Sequence, residues 1–299
     1  MPVPPVPLQS LQLMTLPLIS AAALRALLAS GSPLLLCDCS FDLADPGAGA
    51  QAYLQRHLPG ALYLNLNTEL SDAETGASAG RGRHPLPSRE AFAQRLAALG
   101  FQDEVPVVAY DSSGGMVAAR LWWMLRWAGH AAVQVLDGGL SAWDAAGGAL
   151  VGGLVAARAP GRFSLRPALT HEINFSQLLA GLGRGQRLIV DARAPDRFRG
   201  ENETLDPVGG HIPGALNRFF RSNLGPDGCF LPAETLAAQW QALLAGRSAA
   251  DLVLQCGSGV TACHHLLALE SAGLPGAALY PGSWSEWCAQ PSAPVATGA

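Results

Sequence analysis

Short unbroken apolar runs alternate along the chain with longer stretches in which apolar residues recur every three or four positions. PVVAY (106–110), LIVD (188–191) and DLVLQ (251–255) have the length of strands buried on both faces, the signature of a parallel sheet. SREAFAQRLAAL (88–99) sets Ala91, Phe92, Leu96 and Leu99 at helical spacing behind Ser88, a helix-capping residue, and PAETLAAQWQALL (232–244) repeats the pattern. Such alternation predicts an α/β fold with a mostly parallel central sheet flanked by helices. Sites in these sheets form at the carboxyl ends of strands, where a loop feeds a helix.

The pattern occurs twice. LLLCDCSFDL (34–43) resembles RLIVDARAPD (187–196), and HLPGALYLN (57–65) resembles HIPGALNRF (211–219). The segment 107–143 resembles 252–287 in the same order and with nearly the same spacing. These pairs predict two tandem copies of one domain, at 1–148 and 172–299. Between them, 149–171 falls in a Gly-, Ala- and Arg-rich stretch of little periodicity, read as a linker draped over the other domain.

Composition narrows the chemistry. With 299 residues, 49% hydrophobic and 14% charged, the chain is globular, and a net charge of −4 argues against general affinity for nucleic acid. All 19 basic residues are arginine, which excludes Schiff-base lysine catalysis and a P-loop lysine. No apolar run approaches the roughly 18 residues of a membrane span. The first twenty residues are broken by proline and lack a basic stretch, unlike a secretory leader. The expectation is a cytoplasmic protein with reduced thiols. Six cysteines without a CxxC pair imply no metal, and nothing implies an organic cofactor.

One cysteine stands apart. Cys256 ends a strand-like run and precedes Gly257, Ser258, Gly259, Val260 and Thr261, with a helix predicted to begin near Val260 or Thr261. Glycines let such a loop turn with its N–H groups inward, and a helix N-terminus adds partial positive charge, so a thiolate or sulfur-borne anion is stabilised there. A Cys-x5-Arg phosphatase needs arginine where this chain has Ala262, so a small anion such as a persulfide is the better guest.

CGSGVT (256–261) resembles the active-site loop of mercaptopyruvate-type members of the two-domain rhodanese family. DAR (191–193), HIPGA (211–215) and GSWSEW (282–287) resemble its flanking signatures; HLPGA (57–61), WWMLRWAGH (122–130) and LDGGLSAW (136–143) resemble those of its first copy. The resemblance implies sulfur transfer from 3-mercaptopyruvate through a Cys256 persulfide to cyanide, a thiol or a thioredoxin-like acceptor, releasing pyruvate. Thiosulfate-using members carry Arg and Lys after the cysteine, where this chain has Gly257 and Ser258. A thiosulfate:cyanide sulfurtransferase and a non-catalytic binding module are the alternatives. Asp111 stands in the place of Cys256 in the first copy, which should therefore be silent. The resemblance further implies donor binding by Arg197 and by the loop residues Gly257, Gly259, Val260 and Thr261. It implies a relay of Ser258 and His84 drawn from both domains, with Asn67 at the aspartate position and Asp72 nearby. Asp206 stands where relatives carry a second arginine, and Arg218 or Arg221 is the expected substitute. Arg193, Arg199, His57, His211, Cys263 and Trp122, Trp123 and Trp127 read as structural; His264 or His265 is placed to tune the thiolate, and Trp284 to line the site. A monomer is expected.

Overall fold

A computed structural model describes residues 16–72 and 80–299; the proline-broken start of the chain lies mostly outside them. Two compact units emerge. Of the described residues, the first comprises 16–65, 89–167 and 227–229, and the second 66–72, 80–88, 168–226 and 230–299. The division differs from a single cut after residue 148, because the stretch around Arg83 and His84 packs with the second unit.

The first unit holds a five-stranded sheet of β1 (Leu18–Ile19), β2 (Leu35–Asp38), β3 (Leu62–Tyr63), β4 (Val107–Tyr110) and β5 (Val133–Leu136), in the order β1-β5-β4-β2-β3. The second repeats that order with β6 (His171–Glu172), β7 (Leu188–Asp191), β8 (Leu216–Asn217), β9 (Leu252–Gln255) and β10 (Ala278–Leu279), as β6-β10-β9-β7-β8. All pairings within both sheets are parallel. The predicted strands β4, β7 and β9 are apolar because they are inner strands, covered on both faces.

In the first unit, helices α1 (Ala21–Ala29), α2 (Ala48–Gln55), α3 (Arg89–Ala98), α4 (Ala118–Trp127) and α5 (Gly139–Ala145) accompany the sheet. The second has α6 (Phe175–Gly181), α7 (Pro195–Arg199), α8 (Ala233–Leu244), α9 (Thr261–Ser271) and α10 (Ser283–Trp287). Helix α3 buries Phe92, Ala93 and Leu96, while Ala91 is exposed. Trp122, Trp123 and Trp127 lie in the core, the last two stacked with centroids 5.9 Å apart. The linker is pinned to the first unit: Gly161 donates to the Ala97 carbonyl, Arg166 donates to that of Ala128, and Ser164 bonds Asp103.

The histidines of the repeated H-x-P-G-A motif have matching roles. His57 stacks on Tyr53 at 4.0 Å and its Nδ1 bonds the Tyr53 carbonyl; His211 stacks on Phe198 at 3.8 Å and bonds the Phe198 carbonyl. Each also anchors a returning strand segment through a bridge, to Val151 and to Ala296.

Candidate active site

Strand β9 lies between β10 and β7, so its carboxyl end opens in the middle of the second sheet. Cys256 sits there, 2% exposed, and α9 begins at Thr261. The loop is shaped by its partners. Trp284 and Ser285 N–H groups take the Cys256 and Gly257 carbonyls at 2.9 Å each. Gly259 has φ +75°, and a Cβ there would collide with the Pro281 carbonyl, so this corner requires glycine. At the start of α9 the first N–H groups lack intrahelical acceptors, as at any helix start.

A second residue of positive φ holds the Cys256 backbone. Ser283 has φ 53°, unusual for a residue with a side chain. Its hydroxyl accepts the Cys256 N–H at 3.1 Å and donates to the Tyr280 carbonyl at 2.9 Å. The equivalent residue in the first unit is Gly139, with φ 56°.

The first unit shows what the same cradle does with a built-in anion. Asp111 follows β4 as Cys256 follows β9. Its carboxylate accepts N–H groups from Ser113, Gly115, Val117 and Ala118 at 2.7–2.9 Å. An anion at this strand end is thus bound by loop and helix N–H groups of this fold.

Around the Cys256 loop stand charged and polar groups from two other segments. The His84 Nδ1 and Ser258 Oγ are 2.7 Å apart, and both residues are buried. The Asp72 carboxylate pairs with Arg81 at 3.2 Å, and its N–H donates to the Pro85 carbonyl next to His84. Ser71 Oγ donates to the Asn67 carbonyl at 3.1 Å, which places Asn67 in a turn just before Asp72. Beside Gly257 two guanidinium groups converge: a Cβ built there would lie 2.9 Å from Arg83 Nη2 and 3.5 Å from Arg197 Nη1. Arg197 is held by Glu203, through Nε and Nη2 at 2.8–3.1 Å, and by Asp206 at 3.3 Å. Arg83 pairs with the other oxygen of Asp206. Burial pushes the Glu203 carboxyl up, but hydrogen bonds from Arg197 and the Leu205 N–H hold it below its ordinary value. For Asp206 burial prevails over the attraction of Arg83, and its carboxyl is pushed up.

Arg218, expected at the donor, is turned elsewhere. Its guanidinium bonds Gln239 and Asn223 and lies over the Trp240 ring, against α8. Arg221 lies over Phe220. Arg193 is consumed by Asp191 at 2.6 Å and by the Trp284 face at 4.7 Å, while Arg199 pairs with Glu201. Trp284 is fully buried, donating to the Val208 carbonyl, and supports Arg193. His264 and His265 share the Asn223 amide, which donates to both Nδ1 atoms, and His265 Nε2 bonds the Arg218 carbonyl. They secure α9 from behind the loop. Cys263 donates its thiol to the Gly259 carbonyl at 3.3 Å. Burial pushes the thiols of Cys37, Cys229 and Cys288 up, the last two to about 11, which keeps them protonated at neutral pH. Arg83, Ser283 and the two acids were not singled out as site residues by the sequence pattern; they lie far along the chain from Cys256, and only the close spacing of Arg83 to His84 hinted at a role.

Among the described residues no group of His, Cys, Asp and Glu is arranged to hold a metal, and no helix is long and apolar enough to cross a membrane.

Known proteins resemble this chain in sequence and fold. The rhodanese-like domain pattern matches residues 20–146 and 174–290. A Pseudomonas aeruginosa protein named "Probable 3-mercaptopyruvate sulfurtransferase" is 49% identical over 283 residues, 94% of this chain and 98% of that one. The thiosulfate sulfurtransferase of Bos taurus is 33% identical over 267 residues, 86% of each chain. The 3-mercaptopyruvate sulfurtransferase structure from Leishmania major superposes with a TM-score of 0.80 at 29% identity, covering 91% of this chain and 74% of that one. Two copies of the domain pattern, two sheets of one strand order and relatives matched over nearly their full length agree: the chain is a member of the rhodanese family with the domain in tandem.

Proposed function

We propose that the protein is a 3-mercaptopyruvate sulfurtransferase working through a Cys256 persulfide. One observation carries the reading: the thiol at the end of β9 is followed at once by a glycine against which a guanidinium, that of Arg197, is packed. A donor bearing a carboxylate near its sulfur fits that pairing, since guanidinium binds carboxylate through a fork.

The Cys256 thiolate attacks the donor sulfur. A sulfur–sulfur bond forms, the donor carbon–sulfur bond breaks, and its electron pair leaves as the enolate of pyruvate, which takes a proton. The Ser258 hydroxyl, backed by His84 at 2.7 Å, is the proton-handling group nearest the sulfur in sequence and supports that departure. N–H groups of Gly257, Gly259, Val260 and Thr261 hold the persulfide, in the manner in which N–H groups of the loop and helix start after β4 hold the Asp111 carboxylate. A thiol or thioredoxin-like acceptor, or cyanide in an assay, then attacks the outer sulfur and releases the Cys256 thiolate. The first half is catalytically silent, because a carboxylate cannot accept sulfane sulfur. The enzyme acts as a monomer in a reducing compartment, the cytoplasm, which suits its six free cysteines.

The test is thiocyanate formation from 3-mercaptopyruvate and from thiosulfate at equal enzyme and cyanide, with Cys256→Ser as control. A strong preference for 3-mercaptopyruvate, lost completely in Cys256→Ser, is expected. Preference for thiosulfate, or turnover surviving in Cys256→Ser, overturns the assignment.

A further inference from the structure

We propose that Arg83 is a second donor-binding residue, which with Arg197 clasps the donor carboxylate, and that Asp206 is the positioning residue that aims it. The proposal rests on the sulfurtransferase reading above and names the partner that Arg197 lacks in the sequence pattern.

The acids and the arginines are layered. Asp206 and Glu203 have side chains 3% exposed, whereas Arg83 is 29% and Arg197 19% exposed, so the carboxylates lie beneath and the guanidinium heads reach outward. The acids occupy one edge of each fork. Asp206 takes Arg83 Nη1, and Glu203 with Asp206 takes Arg197 Nε and Nη2. Arg83 Nη2 and Arg197 Nη1, which these acids do not take, both lie against Gly257, one residue from the nucleophile, with Arg197 Nη2 beside them. One carboxylate can take a hydrogen bond from each.

The main chain fixes this convergence. The Arg83 N–H donates to Ser285 Oγ at 3.1 Å, and the Ser285 N–H donates to the Gly257 carbonyl at 2.9 Å. Arg83 is thus tied to the loop through one intermediate residue. His84, next in sequence, engages Ser258, next after Gly257. The two-residue step Arg83–His84 is laid along the two-residue step Gly257–Ser258, so the carboxylate-binding and proton-handling groups arrive together. Asp206 touches both arginines with its two oxygens and sets their spacing, a rigid geometry that a flexible arginine pair would lack.

The experiment is steady-state pyruvate release from 3-mercaptopyruvate by the full chain, wild type against Arg83→Gln, Arg83→Lys and Asp206→Asn, with urea unfolding of each. Alongside it, the protection that pyruvate gives Cys256 against iodoacetamide reports carboxylate binding without turnover. Arg83→Gln is expected to raise KM at least tenfold with kcat within threefold, and to weaken pyruvate protection to the same degree. Arg83→Lys, which keeps the charge without the fork, should fall between the two, and Asp206→Asn should raise KM less than Arg83→Gln. KM and pyruvate protection within twofold of wild type in Arg83→Gln overturn the assignment. Should Arg83→Gln not fold, the same criterion is applied to Arg83→Lys. Wild-type enzyme that releases no pyruvate from 3-mercaptopyruvate instead defeats the functional reading itself, before any variant is compared.

Discussion

Ser283 holds the Cys256 backbone at the expense of its own. Its positive φ would suit glycine, which is what the first unit has at Gly139, yet the hydroxyl is needed for the Cys256 N–H. Ser283→Ala keeps the strained backbone and leaves that N–H without its partner. It should lower stability by about 1–3 kcal/mol and reduce kcat, read by urea unfolding and turnover. Ser283→Gly should lose the same hydrogen bond but relieve the strain, so its stability loss should be smaller. Equal losses in the two variants would show that the backbone there is not strained. At this scale the sequence was informative where chemistry is contiguous. Cys256, its glycines and the helix start follow one another, and local turn rules suffice to read them. Arg197 also stood out, through its motif. Arg83 and Ser283 did not, because each meets the loop only through chain folding, and Asp206 stood out only as the place of an absent arginine, not as an acid that positions two others. Arg218 misled for the same reason: proximity to HIPGA in sequence says nothing of the Gln239 and Trp240 side chains that receive it.

Helix α9 must present its first turn to the sulfur, and the side chains behind that turn hold it. Burial depresses His265 from 6.5 to about 3, with its neutral ring donating to the Arg218 carbonyl and accepting from Asn223. The sign follows from proton counts. Between pH 6.5 and 3 the unfolded chain carries a proton on this ring and the folded chain does not, so stability falls as pH falls. The slope is at most about 1.4 kcal/mol per pH unit from this one ring. His265→Gln should flatten the acid limb of a urea-stability profile measured from pH 7 to 4; an unchanged limb would mean that the ring is protonated in place. Element positions were legible because their periodicities are strong. The start of α9 falls at Thr261 as read, and α8 spans Ala233–Leu244 within the stretch read as helical. Two-residue strands such as β6 and β10 were not, since two residues carry no period.

The repeat gave the α/β architecture in duplicate, but a repeat reports ancestry of segments rather than where they pack. Residues 66–72 and 80–88 precede the first copy's α3 in sequence and cluster with the second unit, bringing Arg83 and His84 to the Cys256 loop. A fragment of residues 172–299 contains the nucleophile and the whole second repeat, yet lacks that stretch. It should show under 1% of the full chain's sulfur transfer, whether it folds or not. Near-complete activity in the fragment would mean that Arg83 and His84 are dispensable.

In the first unit the anion is part of the chain: Asp111 is present whenever that loop is folded, with four N–H groups closed on it. The second unit has a thiol there, and under the proposed mechanism its cradle gains an equivalent occupant only while sulfur is loaded. The enzyme would therefore have two thermal states within one catalytic cycle. Loading with donor in the absence of acceptor should raise the melting temperature, and adding cyanide should return it to the starting value. Heat resistance would then report how much of the protein is carrying sulfur at any moment.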